Sequence, residues 1–235
     1  MDDRTRFYIE REYGFSLESF PSTGITLRES PARRDEPGNR MVITRMGQGV
    51  LATGIPRVIR AIALVIRAMG MWELFSPVGV ADLRRALRPE ESETLGEGFH
   101  YTVGNEKRLR PVKFAHTTVR LLEPDAPPDE DDLVAAPQRL PPGQDFVPAF
   151  AVYQDDKQVA SSGIRWKSPG FVEIGVSTHE DYRGRGYGLA VVASAIYWIL
   201  AQGAVAYYPV APSNVPSVRI ARRLGFSLTW QEIYA

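Results

Sequence analysis

The stretch EDYRGRGYGLAVV, residues 180–192, places three glycines and two arginines within six positions and then becomes apolar. Glycine loses much conformational freedom on folding, so such a run needs a local reason. The preceding segment FVEIGVST is rich in β-branched residues and predicts a strand. Apolar residues from 189 to 199 recur at helical spacing, and Gly203 suits the end of that helix. The stretch therefore predicts a strand, a glycine turn and a buried helix.

A glycine turn that leads into a helix is suited to bind an anion. Backbone N–H groups at a helix N-terminus are unpaired, and the helix dipole adds partial positive charge there. Arg183 and Arg185 add full charges, so a pyrophosphate is the predicted ligand. Gly184, Gly186 and Gly188 are evenly spaced, which does not match the dinucleotide fingerprint, and the sequence has no Gly-Lys-Ser/Thr of a P-loop. Both nucleotide motifs are therefore poor matches.

The rest of the chain predicts alternating strands and helices in two domains, residues 1–110 and 111–235. The first contains a helix near the start, a hairpin in MVITRMGQGVLATG that turns at Gln48-Gly49, an arginine-bearing amphipathic helix, and a second helix at VADLRRAL. Val58, Ile62, Val65, Ile66 and Met69 form the apolar face of the arginine-bearing helix. No catalytic motif occurs in this part, and its lone His100 is interpreted as a structural or surface residue rather than a ligand.

The second predicted domain begins with a strand from His116 to Leu122, followed by the acidic segment EPDAPPDEDD. We interpret that segment as an exposed loop; an acidic lip that attracts cationic substrates is the alternative. A hairpin turning at residues 155–158, a turn at residues 168–170, and later strand and helix signals complete the order. The predicted fold class is α/β (α+β), with a mixed, mostly antiparallel sheet flanked by helices and an additional N-terminal α/β domain.

Composition excludes several classes of protein. The 28 basic and 28 acidic residues balance, so nothing indicates nucleic-acid binding. The chain has no cysteine, which excludes disulfides, thiolate metal sites and a cysteine nucleophile. The N-terminus lacks a signal-peptide pattern, and arginines interrupt the most apolar window, GIPRVIRAIALVIRAMGMW. We expect a cytoplasmic protein with no membrane span and no metal, since no histidine or carboxylate cluster has ligand spacing.

The glycine stretch resembles another pattern, Arg/Gln-x-x-Gly-x-Gly/Ala, in the form Arg183-Gly184-Arg185-Gly186-Tyr187-Gly188. On this motif the chain resembles the GNAT superfamily of acyl-CoA-dependent N-acetyltransferases. The downstream segment NVPSVRIARRLGF is similar to that family's Asn-x-x-Ser…Gly-Phe segment. The two motifs occur in the family's order, and the resemblance covers roughly residues 112 to 235, about half of the chain.

This resemblance implies acetyl-CoA as the cofactor and an N-acetyltransferase activity by direct transfer in a ternary complex. The residues implied to bind the pyrophosphate are Arg183, Gly184, Arg185, Gly186, Tyr187 and Gly188. The pantetheine arm would lie along Ile174, Gly175, Val176 and Ser177, with Asn214 holding that arm or a water. A helix cap is the alternative role of Asn214. Pro209 in the neighbouring strand cannot donate a ladder hydrogen bond, which predicts a gap in pairing or a strand end.

Two residues, Glu173 and Ser217, are predicted to be catalytic. Glu173 matches the family's general base, and burial on an apolar strand would raise its pKa to suit that task. A solvent-facing strand residue or a structural ion pair is the alternative. The family's general-acid tyrosine is replaced by Ala221, so Ser217, Tyr207, Tyr208, Tyr234 or solvent would have to take that role. His179 lies beside the loop as a phosphate contact or a neutral turn residue.

The resemblance leaves three questions open. The acceptor is predicted to be a small-molecule or peptide amine of unknown identity. The family's fold usually adds one more strand after Gly225-Phe226, so either residues 1–110 or a second subunit in a homodimer would cover the open edge. The N-terminal part would then be structural support and one wall of the acceptor site; a degenerate second copy of the family's fold is a further interpretation of residues 1–110. A non-catalytic acyl-CoA-binding module, or an interaction protein that binds no CoA, are the alternative functions.

Overall fold

A computed structural model of the protein describes residues 1–30, 40–112, 118–121 and 147–235. Within these residues the helices are α1 (Asp3–Tyr13), α2 (Pro56–Ala68), α3 (Met71–Leu74), α4 (Pro77–Ala86), α5 (Pro89–Ser92), α6 (Tyr187–Ala201) and α7 (Val215–Leu224). The strands are β1 (Thr23–Glu29), β2 (Met41–Met46), β3 (Gln48–Gly54), β4 (Gly96–Val103), β5 (Val119–Leu121), β6 (Val147–Gln154), β7 (Lys157–Ser168), β8 (Phe171–Thr178), β9 (Val205–Val210) and β10 (Ser227–Tyr234). Single 3₁₀ turns lie at Leu17–Ser19, Glu106–Arg108 and Glu180–Tyr182.

The chain folds into two compact units, and each unit is built from two segments of the sequence. The first unit comprises Ile9–His100 and Leu228–Ala235, and the second unit comprises Met1–Tyr8 and Tyr101–Ser227. The domain boundary near residue 110 stays a prediction. The α/β architecture with a mostly antiparallel sheet and flanking helices is confirmed.

The first unit has the strand order β1-β3-β2-β10-β4. β1 and β3 are parallel, whereas β2 is antiparallel to both β3 and β10. The β2–β3 hairpin turns at Gly47-Gln48, one residue earlier than predicted, because Met46 pairs with Gly49 and Gly47 has a φ of 57° that suits glycine. β10 pairs with β2, so the N-terminal part covers the edge that the sequence left open.

The core of the first unit lies between its strands and α2. The predicted helical spacing is confirmed, because α2 buries Val58, Ile59, Ile62 and Ile66 and begins with Pro56 in its first turn. These side chains pack with Met41 and Ile43 of β2, Val50 and Ala52 of β3, Leu83 of α4, and Ile233 of β10. The N-terminal part therefore has a hydrophobic core of its own.

His100, the last residue of β4 within the first unit, is buried, which supports the structural interpretation over the surface one. The residue is 4% exposed, and its ring stacks on Trp230 at a centroid distance of 4.6 Å. Nε2 lies 3.0 Å from a carboxylate oxygen of Glu232, whose other oxygen accepts a hydrogen bond from Tyr13. Among the described residues, no group of histidine and carboxylate side chains could hold a metal ion.

The second unit has the strand order β9-β8-β7-β6-β5. β5 to β8 form an antiparallel meander, and β8 then pairs in parallel with β9. The hairpin turn predicted at residues 155–158 is shorter in the structure: only Asp155 and Asp156, both with positive φ, connect β6 to β7. The next turn lies at Pro169-Gly170. The predicted strand from residue 116 to 122 is described only as β5, and residues 116, 117 and 122 lie outside the described residues, as does the acidic segment 123–132.

Helix α6 provides the core of the second unit. Nine of its residues are buried, including Leu189, Val192, Ile196 and Ile199, as the sequence predicted. The helix packs against β6, β7, β8 and β9. A helix that is apolar on all sides is typical of a buried helix or a membrane span; none of the described helices combines the length and apolarity needed to cross a bilayer.

Two glycines that end helices of the second unit differ in what surrounds them, which gives a matched pair of substitutions. Gly225 has a φ of 89°, and a Cβ there would lie 2.3 Å from the backbone oxygen of Arg108. Gly203 has a φ of 68°, and a Cβ there would point into open space. We expect Gly203→Ala to lower the free energy of unfolding by about 1 kcal/mol, and Gly225→Ala by about 3 kcal/mol. Urea denaturation measures both, and equal losses would contradict the backbone clash at Gly225.

Candidate active site

The glycine loop connects β8 to α6 through two residues in the left-handed region. Gly184 has a φ of 78° and Gly186 a φ of 90°, conformations that residues with a Cβ rarely adopt. A Cβ at either position would meet nothing within 4 Å. Conformation rather than packing therefore requires glycine at both positions, and the space above the loop is open.

Gly188 has a different role from the other two glycines. It is buried in the first turn of α6, and a Cβ there would lie 3.0 Å from the hydroxyl oxygen of Thr178, at the end of β8. Glycine at this position lets the first turn of the helix approach the end of the strand closely. The loop is thereby held short and tight.

The N-terminus of α6 is open. Gly186 is its N-cap residue and provides no side-chain hydrogen bond, and the first intrahelical bond runs from the Ala190 N–H to the Gly186 carbonyl. The helix itself therefore leaves the N–H groups of its first turn without acceptors, at the positive end of a 15-residue dipole. This end of the helix can bind an anion.

Both predicted arginines lie exposed beside this helix end. The Arg185 guanidinium lies 5.1 Å from the ring centroid of Tyr182, and Arg183 Nε donates to the Thr178 carbonyl at 3.4 Å. His179 Nδ1 lies 3.6 Å from a carboxylate oxygen of Asp181, as in an ordinary turn. Two full positive charges therefore surround the open N-terminus.

The parallel ladder between β8 and β9 is short. It contains the pairs Phe171–Val205, Val172–Ala206 and Glu173–Tyr207, and it ends there, although both strands continue. The predicted gap in pairing is therefore present, and Pro209 lies on the part of β9 that has no ladder to β8. On its other side β8 stays paired with β7 as far as Thr178. Beyond Glu173 no ladder pair joins β8 to β9, and this unpaired stretch between the two strands is called the opening below.

The predicted pantetheine strand, Ile174 to Ser177, lines this opening. Its residues pair with β7 on one side and have no ladder to β9 on the other. In an antiparallel ladder, alternate backbone N–H and C=O groups point away from the partner strand. Those groups are free to bond a ligand that enters the opening.

Glu173 lies at the closed end of the opening and is 7% exposed. One of its oxygens accepts hydrogen bonds from Arg165 Nη2 at 2.7 Å and Nε at 3.1 Å, and Lys167 Nζ lies 4.0 Å from the same oxygen. The predicted burial is present, and so is the ion pair that was its alternative interpretation.

The sequence analysis missed Arg165 because a β-bulge sets its position. Ser168 pairs with Phe171 across the hairpin, and a regular ladder would then place Trp166 opposite Glu173. The bulge between Trp166 and Ser168 shifts the register by one residue, so that Arg165 lies opposite Glu173. No residue pattern in this segment signals such a shift.

Asn214 and Ser217 lie together at the start of α7. Asn214 is the N-cap, and its side-chain oxygen accepts a hydrogen bond from the Ser217 N–H at 3.3 Å. Ser217 is 8% exposed, and Ala221 is fully buried one turn further along the same helix face. The capping role of Asn214 is therefore observed, and position 221 offers no polar side chain.

An aromatic cluster, also missed, packs against the face of the strands that carries Glu173. The ring of Tyr8 stacks on Phe171 at 4.4 Å, and Phe171 stacks on Tyr207 at 5.0 Å. Tyr8 comes from α1, so no local sequence signal could connect it to this region. The cluster gives the end of the β8–β9 ladder buried, apolar surroundings.

A family model described as the acetyltransferase (GNAT) domain matches residues 109–227, just over half of the chain. No curated protein matches the chain. Among solved structures, the chain is similar to a GCN5-related N-acetyltransferase from Kribbella flavida, with 19% identity, 69% of this chain and 64% of that chain covered, and a TM-score of 0.42.

Two further solved structures have comparable similarity. A GCN5-related N-acetyltransferase from Sphaerobacter thermophilus has 16% identity, coverage of 68% and 55%, and a TM-score of 0.44. An acetyltransferase of the GNAT family from Colwellia psychrerythraea has 14% identity, coverage of 60% and 56%, and a TM-score of 0.42. The chain thus spans less than two thirds of the length of these structures. The match to the family model, which covers just over half of the chain, determines the family: the chain belongs to the GNAT acetyltransferase family.

Proposed function

We propose that this protein is an acetyl-CoA-dependent N-acetyltransferase that transfers an acetyl group to a primary amine by direct transfer in a ternary complex. GNAT enzymes in general use acetyl-CoA and amine acceptors. The observation that carries the proposal for this chain is the opening between β8 and β9, which leads directly to an uncapped, positively charged helix end. An extended thioester with a pyrophosphate matches that arrangement in shape and charge.

The residues of the loop fit the diphosphate. The N–H groups of the residues from Arg183 to Gly188 would bind the pyrophosphate, because both left-handed glycines leave the approach to the backbone open. Ile174 to Ser177 would bond the pantetheine arm through backbone groups that β9 does not use. When bound, acetyl-CoA supplies the activated thioester.

The residues at the closed end of the opening would provide the chemistry. Glu173 would take the proton of the amine, directly or through a water, with Arg165 holding the carboxylate in place. The Val176 N–H would polarise the thioester carbonyl. The chain has no cysteine that could carry the acetyl group as a thioester, which favours direct transfer over a covalent enzyme intermediate.

A non-catalytic acyl-CoA-binding module is the second candidate function. Two observations favour it: the candidate base is held in an ion pair, and Ala221 lacks the hydroxyl of the family's general acid. Such a module would bind acetyl-CoA but would not transfer the acetyl group. Activity measurements on Glu173 variants separate the two functions.

The proposed pyrophosphate site is tested first, by calorimetric titration of the protein with acetyl-CoA. Gly186→Glu places a side chain and a negative charge at the open end of α6, and like-charge juxtaposition costs several kcal/mol, so we expect the affinity to fall at least about 100-fold. Gly203→Glu is the matched control, since Gly203 has a positive φ and open surroundings at the other end of the same helix. The control should bind within about twofold of the wild type. Absence of binding by the folded wild type would reject the proposed function.

The proposed base is tested by Glu173→Gln, with the exposed Glu106→Gln as the control. A positioned general base contributes about 100-fold or more, so kcat for a primary amine found by screening should fall by that factor. Affinity for acetyl-CoA should change less than about twofold. The measurement is thiol release from acetyl-CoA, with a thermal melt to verify folding. Unchanged kcat in Glu173→Gln would assign the residue to the ion pair alone.

The two roles of Asn214 are separated by two substitutions. Asn214→Ser keeps an N-cap oxygen and should retain the stability of the wild type, whereas Asn214→Ala should lower the free energy of unfolding by about 1 kcal/mol. If the Asn214 amide also holds the pantetheine arm, both variants lose about fivefold in affinity for acetyl-CoA, the value of one hydrogen bond. Wild-type affinity in Asn214→Ser would mean that the side chain only caps α7.

A further inference from the structure

Tyr208 is the first residue of β9 beyond the last pair of the β8–β9 ladder. Adjacent residues of a strand point to opposite faces, and residues paired across a ladder share a face. Tyr207 and Glu173 therefore lie on the face that carries the aromatic cluster, and Tyr208 lies on the opposite face. There its ring contacts Phe226, with a centroid distance of 5.8 Å. Glu173 and Tyr208 thus flank the start of the opening from its two sides.

The hydroxyl of Tyr208 is buried and has no hydrogen-bond partner among the described residues. The residue is only 2% exposed, and Ser217 of α7 is a neighbouring polar side chain, although the two hydroxyls do not reach hydrogen-bond geometry. Burial raises the pKa of Tyr208, and the neighbouring Ser217 offsets this increase only in part. A buried unpaired hydroxyl costs about 1–3 kcal/mol, so its presence at the opening requires an explanation.

The small side chain at position 221 explains why Tyr208 can occupy this place. Ala221 and Ser217 lie one turn apart on the same face of α7, and both are buried. Ser217 is close to Tyr208, and Phe226, which contacts the Tyr208 ring, donates its backbone N–H to the Ala221 carbonyl. A bulky side chain at position 221 would project towards this same region. The hydroxyl near the opening therefore comes from the strand and not from the helix.

We propose that Tyr208 is the general acid of this enzyme, and that Ser217 is the residue that returns the proton to it. This inference rests on the proposed function. As the carbon–sulfur bond of the thioester breaks, its electron pair moves to sulfur and Tyr208 donates its phenolic proton to that sulfur. The phenolate then regains a proton from solvent through the Ser217 hydroxyl. The amine proton leaves separately, on the other face of the sheet, through Glu173.

The raised pKa of Tyr208 suits this role, because a donor must be protonated when the sulfur leaves. The group stays protonated well above neutral pH, so the acid form is present throughout the working range. A thiolate is a tolerable leaving group even without an acid, since ordinary thiols have a pKa of about 8.5. The expected contribution is therefore at the lower end for general acid catalysis, about 10- to 100-fold.

The experiment compares CoA with desulfo-CoA, which lacks the sulfur atom, by calorimetry. We expect the wild type to bind CoA about fivefold more tightly than desulfo-CoA, because a hydrogen bond from Tyr208 to sulfur contributes about 1 kcal/mol. In Tyr208→Phe this preference should disappear. Tyr197→Phe is the matched control, since it removes the hydroxyl of an exposed tyrosine on α6 and should keep the wild-type preference.

Kinetics with the acceptor from the amine screen provide the second measurement. Tyr208→Phe should lower kcat about 10- to 100-fold with KM for acetyl-CoA within about twofold, a split that a packing defect would not produce. Ser217→Ala should show a smaller loss of kcat and retain the CoA preference. If Tyr208→Phe folds poorly, ¹³C NMR of ζ-labelled tyrosines in the wild type gives an independent test. One signal should then shift with CoA and not with desulfo-CoA.

The outcomes separate this inference from the proposed function. If the wild type binds CoA and desulfo-CoA equally and Tyr208→Phe retains wild-type kcat, the assignment of Tyr208 is wrong and the acetyltransferase function stands. If the wild type binds neither compound, the proposed function fails and the role of Tyr208 fails with it. Loss of both the sulfur preference and kcat in Tyr208→Phe, with both retained in Tyr197→Phe, supports the assignment.

Discussion

The early end of the parallel ladder between β8 and β9 is the constraint on which the site depends. The ladder contains three pairs, the last being Glu173–Tyr207. Beyond that pair Ile174 to Ser177 have no ladder to β9, while the ladder to β7 keeps that segment extended. The same strand then leads into the glycine loop and the open end of α6, so the backbone groups suited to an extended ligand and to an anion follow one another along the chain.

The ladder also separates two chemical environments. On one face, Glu173 is held by Arg165 and lies beside the aromatic stack of Tyr8, Phe171 and Tyr207. On the other face, Tyr208 lies against α7 with an unbonded, buried hydroxyl. The proposed proton acceptor and the proposed proton donor therefore lie on opposite faces of the β8–β9 pair, where they cannot neutralise each other.

Much of this architecture could be predicted from the sequence, because local rules determine it. Hydrophobic periodicity and secondary-structure propensity account for the order of strands and helices and for the buried helix after the loop. Turn chemistry accounts for the glycines at residues 184 and 186. The motif at residues 183–188 also indicated the correct family, which the domain match confirms. Even the short ladder had a local signal, since Pro209 cannot donate to a neighbouring strand.

The sequence by itself therefore determined the loop, its conformation and its charge, since a positive φ and an open helix end are properties of neighbouring residues. Only the tertiary structure decided the partners of the reactive groups. One bulge in β7 brings Arg165 rather than Trp166 opposite Glu173, and the packing of α7 on β9 places Ser217 beside Tyr208. Pairing of β10 with β2 likewise joins segments that lie far apart in the sequence. Such contacts depend on register and packing between distant segments, and a slip of one residue would change every partner.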